Sequence, residues 1–249
     1  MRLLDCRYWR YAACEQGENF KQDVPVSVVT DVFRDAWKQA APQTVFDTEK
    51  DEKPDDFLDQ GTVLLSKYQK EHAPHIQPAA VETRFTINLP GVPREVLGFI
   101  DLIDDHEVII DHKTSKMSPN ALTLMKDMQL TLYRMAYRTK FGHNPGGLRY
   151  DYLVRKSTKR FGFSAEIHPM PVQRTEAHEF ALIETFKTVS DAIRLKKYFQ
   201  NTTGFTCGPN SCGYWSRCMA PILEGKHPEF FDEIRCLQQE AAKKDREAQ

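Results

Sequence analysis

Between Val81 and Ser115 the hydrophobic period of this chain is two, and that restricts the fold more than any other feature. Val81, Thr83, Phe85, Ile87 and Leu89 alternate with Glu82, Arg84, Thr86 and Asn88, the pattern of a strand with one buried face. Pro90-Gly91-Val92-Pro93 breaks it. Two more apolar strands follow in Gly98-Phe-Ile-Asp-Leu-Ile-Asp-Asp-His-Glu-Val-Ile-Ile-Asp-His-Lys-Thr-Ser115, joined by a polar turn. The spacing predicts a three-strand meander.

This meander carries charge where a strand interior is normally apolar. Asp101 lies on the second strand; Asp111 and Lys113 lie on the third. Side chains of a strand alternate faces, so Asp111 and Lys113 share one. Charged groups within apolar strands are costly unless they are used. Two carboxylates can hold a hard divalent cation, and a lysine beside them can orient or activate water. That combination suits metal-dependent phosphodiester hydrolysis. The plain alternative is a cross-strand ion pair, worth well under ~1 kcal/mol at a surface. The apolar flanks argue against such exposure. Asp104 and Asp105 read as turn carboxylates.

The rest of the chain mixes the two periodicities. A helix is expected from Ser27 to Ala40, with Val29, Val32, Phe33, Trp37 and Ala40 inward and Pro42 ending it. Residues 44–53 read as a loop. A second helix runs from Pro54 to about His72, with Phe57, Leu64, Leu65 and Tyr68 inward. Ser118 as N-cap and Pro119 open a helix continuing to about Lys140 through Leu122, Met125, Met128, Leu132 and Ala136. Leu148–Val154 is a strand, with Arg155, Lys156, Lys159 and Arg160 in the turn after it and Phe161–His168 pairing back. A helix over about Arg174–Tyr198, a cysteine-rich segment 204–218 and a charged C-terminal helix complete a mixed α/β order.

Composition excludes some classes. The 249 residues have a formal net charge of −1, so any nucleic-acid surface is a local patch. The basic residues around 155–160 serve as such a patch or as a solvated hairpin tip. Tyr8, Trp9 and Tyr11 read as packing before base stacking. No apolar run approaches a bilayer span, and Met1-Arg-Leu-Leu-Asp-Cys6 lacks a signal-peptide core. The expectation is a cytoplasmic chain with no membrane partner. Six cysteines then suggest thiols or metal ligands before disulfides. Cys207, Cys212 and Cys218 form Cys-x4-Cys-x5-Cys; Cys236 reads as structural. No Gly-x-x-x-x-Gly-Lys-Ser/Thr loop and no nucleophile elbow is present.

Gly98-Phe-Ile-Asp101, Ile110-Asp-His-Lys113-Thr-Ser and Gln129-Leu-Thr-Leu-Tyr133, in this order, resemble the PD-(D/E)XK nuclease superfamily. They resemble in particular its RecB-type exonuclease branch, with its phage and CRISPR-associated relatives. Asp-x-Lys alone is a common pattern; the three motifs together are specific. The resemblance spans about residues 57–218 and implies one restriction-endonuclease-like α/β domain over 1–249. Its core is about 54–200, a central mixed β-sheet flanked by helices.

The resemblance also implies a Mg²⁺- or Mn²⁺-dependent deoxyribonuclease, an exonuclease of DNA recombination, repair or phage DNA processing. Its partners would be DNA and a helicase, recombinase or CRISPR-adaptation protein. Asp101, Asp111 and the backbone carbonyl of His112 would hold metal. Lys113 would face water and the scissile phosphate, and Glu82 would be an additional acid. Gln129 and Tyr133, i and i+4 on a helix, would contact DNA or support Lys113.

RecB-type enzymes carry a metal-binding His four residues after a helical Gly; here Gly61-Thr-Val-Leu-Leu65 has leucine. That departure supports the rival reading of a non-catalytic DNA-binding or scaffold module. Relatives with a [4Fe–4S] cluster use one N-terminal and three C-terminal cysteines. This implies Cys6, with Cys14 as competitor, and Cys207, Cys212 and Cys218, clamping the two ends together. Plain thiols are the alternative.

Overall fold

A five-stranded sheet organises the first part of the chain, in the order β1-β2-β3-β4-β5. The strands are β1 Pro78–Ile87, β2 Val96–Asp104, β3 Val108–Ser115, β4 Gly147–Thr158 and β5 Gly162–Pro171. The helices are α1 Val26–Ala40, α2 Pro54–Lys67, α3 Ala121–Lys126, α4 Gln129–Phe141, α5 Glu176–Arg194, α6 Trp215–Leu223 and α7 Glu229–Glu247. The computed structural model describes residues 24–44, 46, 53–158, 162–197, 204, 206–209, 211–227 and 229–247.

The expected meander is present: β1–β2 and β2–β3 are antiparallel, as is β4–β5. β3 and β4 are parallel, which requires a crossover, and α3 and α4 lie within it. The sheet is therefore mixed, as the resemblance implied. The Asp104 carboxylate accepts from the His106 and Val108 amides at 3.0 and 2.8 Å, closing the β2–β3 turn.

The described residues fall into two compact units, one within 1–88 and 95–182, the other within 89–94 and 183–249. In the first, α1 rests on α2 through Val29, Phe33, Trp37 and Leu65. Ile76, Val81, Leu102 and Ile110 form a second cluster on the sheet, and Leu64 joins Leu153 and Ala165 in a third. In the second unit, Arg217 of α6 donates to both carboxylate oxygens of Glu233 on α7 at 2.9 and 2.8 Å.

Leu65 is only 4% exposed, among the α1 aromatics. Gly61, one turn earlier, lies against the Phe33 ring, where a Cβ would come within 2.3 Å. The leucine at the ligand position is thus a core residue. Leu65→Ala is expected to cost about 3 kcal/mol through the cavity left behind. That lowers the melting temperature by about 6–12 °C for a chain of this size, as thermal unfolding would measure.

Several sequence expectations are corrected. Val32 is 38% exposed, and Thr30 takes a buried place on α1 instead. The helix expected from Ser118 to Lys140 is two helices, broken at Asp127, whose ψ of 128° is extended. Its first N-cap is Asn120, which accepts from the Thr123 amide at 2.8 Å, not Ser118. Arg155 and Lys156 are not in a turn. They belong to β4 and pair with Ala165 and Ser164, because the ladder continues to Thr158. Lys159 and Arg160 lie outside the described residues, as do Tyr8, Trp9, Tyr11 and most of the loop 44–53.

Candidate active site

The ladder sets three acidic residues in one row. Leu102↔Ile110 and Ile103↔Ile109 pair β2 with β3, so one further step puts Asp101 opposite Asp111. Val81↔Leu102 and Thr83↔Ile100 likewise bracket Glu82 opposite Asp101. Like charges directly opposite weaken a sheet, so the row is not a stabilising device. Glu82 also adopts φ +46° in mid-strand, a left-handed conformation that costs a residue with a Cβ about 1–3 kcal/mol.

Asp111 is fully buried. Burial first, and the neighbouring Asp101 second, push its carboxyl up to about 6 from 3.8, against the opposing Lys113. Lys113 Nζ lies 2.7 Å from Asp111 Oδ2, so the two do share a face. The approach is that of an ion pair, not a directed hydrogen bond: both Asp111 oxygens are buried without a donor among the described residues. Asp101 Oδ2 accepts from the His112 amide at 3.1 Å, which draws Asp101 to β3.

The start of α4 holds Lys113 from the other side. Lys113 Nζ donates to Gln129 Oε1 at 2.5 Å, and Gln129 Nε2 donates to Tyr133 Oη at 2.6 Å. Burial raises the Tyr133 phenol well above its ordinary range, and Asp111, Asp101 and Glu82 add to the rise. Its ring meets Phe85 edge-on, with centroids 5.8 Å apart. Phe85 in turn covers Gly98, whose Cβ would come within 2.4 Å of that ring. The glycine of the Gly-Phe-Ile-Asp motif therefore makes room for the support under Tyr133.

Sequence reasoning missed the residues that place Gln129. Asp127 Oδ1 accepts from the Gln129 amide at 2.7 Å and from Tyr150 Oη at 2.5 Å. Buried Arg174 donates through Nη2 to the carbonyls of Leu124 and Asp127 at 2.6 and 2.9 Å. An Asp two residues ahead of a helical Gln is a capping signal, and it was readable. The partners Tyr150 and Arg174 are distant in sequence and were not.

The other face of β3 carries a second polar group. His112 Nε2 is 2.8 Å from Tyr68 Oη, and burial holds this imidazole below the ordinary histidine range. His72 Nε2 is 2.7 Å from Asp151 Oδ2, and Arg149 Nε donates to Asp151 Oδ1 at 2.8 Å. Burial would raise the Asp151 carboxyl, yet His72 and Arg149 together hold it below the usual range. Since residues 111 and 112 face opposite sides, α4 and the helical turn Tyr68–His72 that follows α2 cover opposite faces of the sheet at this point.

The donor set suits a small hard cation. The fit rests on Asp111, whose two buried oxygens have no hydrogen-bond donor, and on Asp101 beside it. Among the described residues no group of three or more His, Cys, Asp or Glu side chains converges as a metal site. Glu82 thus shares the row without completing a three-carboxylate cluster, and the site offers two carboxylates. Magnesium is commonly held by one or two carboxylates, keeping waters and substrate phosphate as its other ligands. Cys207, Cys212 and Cys218 are half-buried thiols that do not gather as a three-ligand group, and Cys6 and Cys14 lie outside the described residues.

The family model of the PD-(D/E)XK nuclease superfamily matches residues 11–219, and the chain belongs to that superfamily. Its fold is accordingly the restriction-endonuclease-like α/β fold, with the mixed sheet described above. A solved structure from Eubacterium rectale, described only provisionally as an exonuclease, aligns with TM-score 0.48 and 10% identity. The alignment covers 75% of this chain and 74% of that one, and a likeness at this level bears on neither activity nor substrate. No curated protein matches the chain in sequence. Among the described residues no helix is long and apolar enough to cross a membrane.

Proposed function

We propose that this member of the nuclease superfamily is a metal-dependent deoxyribonuclease that degrades DNA from its ends. One observation carries the reading: Asp111 is buried with no directed hydrogen bond to its oxygens, opposite a second carboxylate and 2.7 Å from a lysine. Asp101, Asp111 and the His112 carbonyl would hold Mg²⁺ or Mn²⁺. When bound, the cation polarises the phosphate and stabilises the charge that builds on it.

The chain's own groups supply the rest. An ammonium has three N–H donors. Gln129 accepts from one of those of Lys113 and Asp111 balances its charge from 2.7 Å, while a further N–H has no acceptor among the described residues. It is available to align the attacking water or to meet a phosphoryl oxygen. Gln129 and Tyr133 hold the ammonium in place. The raised phenol of Tyr133 keeps its proton at neutral pH and is no base. Water is the nucleophile, and no covalent intermediate is required.

The scaffold reading drew its support from Leu65, and the core position of Leu65 explains that residue without loss of function. A scaffold also has no use for a strained, buried carboxylate. The helicase, recombinase or CRISPR-adaptation partner, and a repair or phage role, rest on the sequence resemblance. The cluster on Cys6, Cys207, Cys212 and Cys218 rests on the same resemblance, from which its Cys-x4-Cys spacing departs by two residues.

The test is cleavage of linear single- and double-stranded DNA. Wild type should cut with Mg²⁺ or Mn²⁺ and stop in EDTA, and Asp101→Asn should slow cutting by about 100-fold or more. Undiminished cutting in EDTA would overturn the proposal.

A further inference from the structure

We infer that the segment from Met117 to Met128 is a binding surface for unpaired DNA bases, placed beside the reacting position; this rests on the nuclease reading above. Met117, Leu122, Met125 and Met128 are 75, 56, 66 and 42% exposed. Single exposed apolar residues need no explanation, but four large ones on one short stretch mark an interaction surface.

The stretch is held firmly from beneath. Leu124 is buried, Asn120 accepts from both the amide and the hydroxyl of Thr123, and Arg174 grips the Leu124 and Asp127 carbonyls. Ser118 Oγ lies 3.2 Å from His168 Nε2 on β5. A loop with no task would not display its apolar side chains on so many anchors.

Its position and charge identify the occupant. The segment begins four residues after Lys113 and ends at the residue before Gln129, and those two side chains are bonded to each other. Lys116 and Lys126 are exposed, and no Asp or Glu lies between Lys113 and Lys126. Asp127, the one acid of the segment, turns inward to accept from the Gln129 amide and the Tyr150 hydroxyl, which leaves the two exposed lysines interleaved with apolar side chains. Lysines of that kind follow phosphates, while flexible thioethers settle on aromatic ring faces of any base. Base pairing hides those faces within the stack, so the surface selects nucleotides that have left the duplex.

The experiment is fluorescence anisotropy of the full chain in EDTA. Its probes are a single-stranded oligonucleotide, a duplex with a single-stranded tail and a blunt duplex. The variant combines Met117→Ser, Leu122→Ser and Met125→Ser, with its folding checked by thermal unfolding. All three positions are exposed, so its melting temperature should match wild type.

The triple variant should bind the single-stranded and tailed probes about tenfold more weakly and the blunt duplex less than about twofold more weakly. Lys126→Gln should weaken all three probes alike and flatten the salt dependence by about one phosphate contact. Equal affinities of variant and wild type for the tailed probe would overturn the inference, as would an equal loss on blunt duplex. A wild-type dimer that the triple variant dissolves, with DNA affinity unchanged, would make the surface a contact between copies and also overturn it. If wild type cuts DNA while the variant binds every probe normally, only this surface fails. If wild type neither binds nor cuts, the nuclease reading fails with it.

Discussion

Asp111→Asn is expected to abolish cleavage while raising the melting temperature of the metal-free protein at pH 7. The carboxyl is held at about 6 in the folded chain against an ordinary 3.8, with burial the leading cause. A difference of that size corresponds to about 3 kcal/mol against the ionised form. Asparagine keeps the shape and removes the charge. Lys113 then loses its counter-ion, so the net gain is smaller, about 1–2 kcal/mol, or about 2–8 °C.

The pH dependence has a definite sign. Folding raises this carboxyl, so the folded chain holds the proton more tightly. Its contribution to stability is fully present below 3.8 and is lost as pH rises through about 6. The variant should therefore exceed wild type at pH 7–8 and lose that advantage near pH 4. Cleavage should fall by about 1000-fold or more, since the charge-stabilising ligand is gone. Parallel thermal melts and cleavage assays check both halves. A variant that melts below wild type at pH 7 would show that Asp111 is not under strain. Full cleavage by the variant would remove it from the site.

Lys113→Met separates catalysis from binding. The rate should fall by about 100- to 10,000-fold, the range for losing a positioned proton-transfer or water-aligning group. DNA affinity in EDTA should change by less than about threefold, because one exposed-end cation contributes little to binding a polyanion. The same substitution should tighten Mn²⁺ binding at pH 8. Lys113 occupies Asp111 Oδ2 and competes for it with any cation. Calorimetric titration reads that directly. Weaker Mn²⁺ binding by the variant would mean that the ammonium assists the ion and does not exclude it.

Much of this site was legible because its geometry is local. Period two places Asp111 and Lys113 on one face, and helical spacing places Gln129 beside Tyr133. Their meeting at Lys113 followed only from the family resemblance, as it depends on α4 crossing the sheet. The break at Asp127 was hidden because Leu122, Met125, Met128, Leu132 and Ala136 continue a helical period. Three of those residues are exposed, so the periodicity was not a sign of burial there. Arg174, which fixes the break, is a tertiary partner that no window around residue 127 contains. Arg155 and Lys156 looked like turn residues because their charge outweighed their place in a long ladder. His72, Asp151 and Arg149 come from three separate stretches, and no short pattern joins them.

The chain from Lys113 through Gln129 to Tyr133 has a direction. Lys113 donates a hydrogen bond to the amide oxygen, and the amide nitrogen donates one to the phenol oxygen. The phenol's own hydrogen is therefore left for another acceptor, as is the spare hydrogen of the ammonium. Both termini of the array present hydrogens and neither presents a lone pair. Phosphodiester oxygens are anionic and can only accept, so they suit such donors and match the ammonium's charge, which a neutral hydroxyl does not. The polarity of a single glutamine amide thus biases the site toward an anionic acceptor.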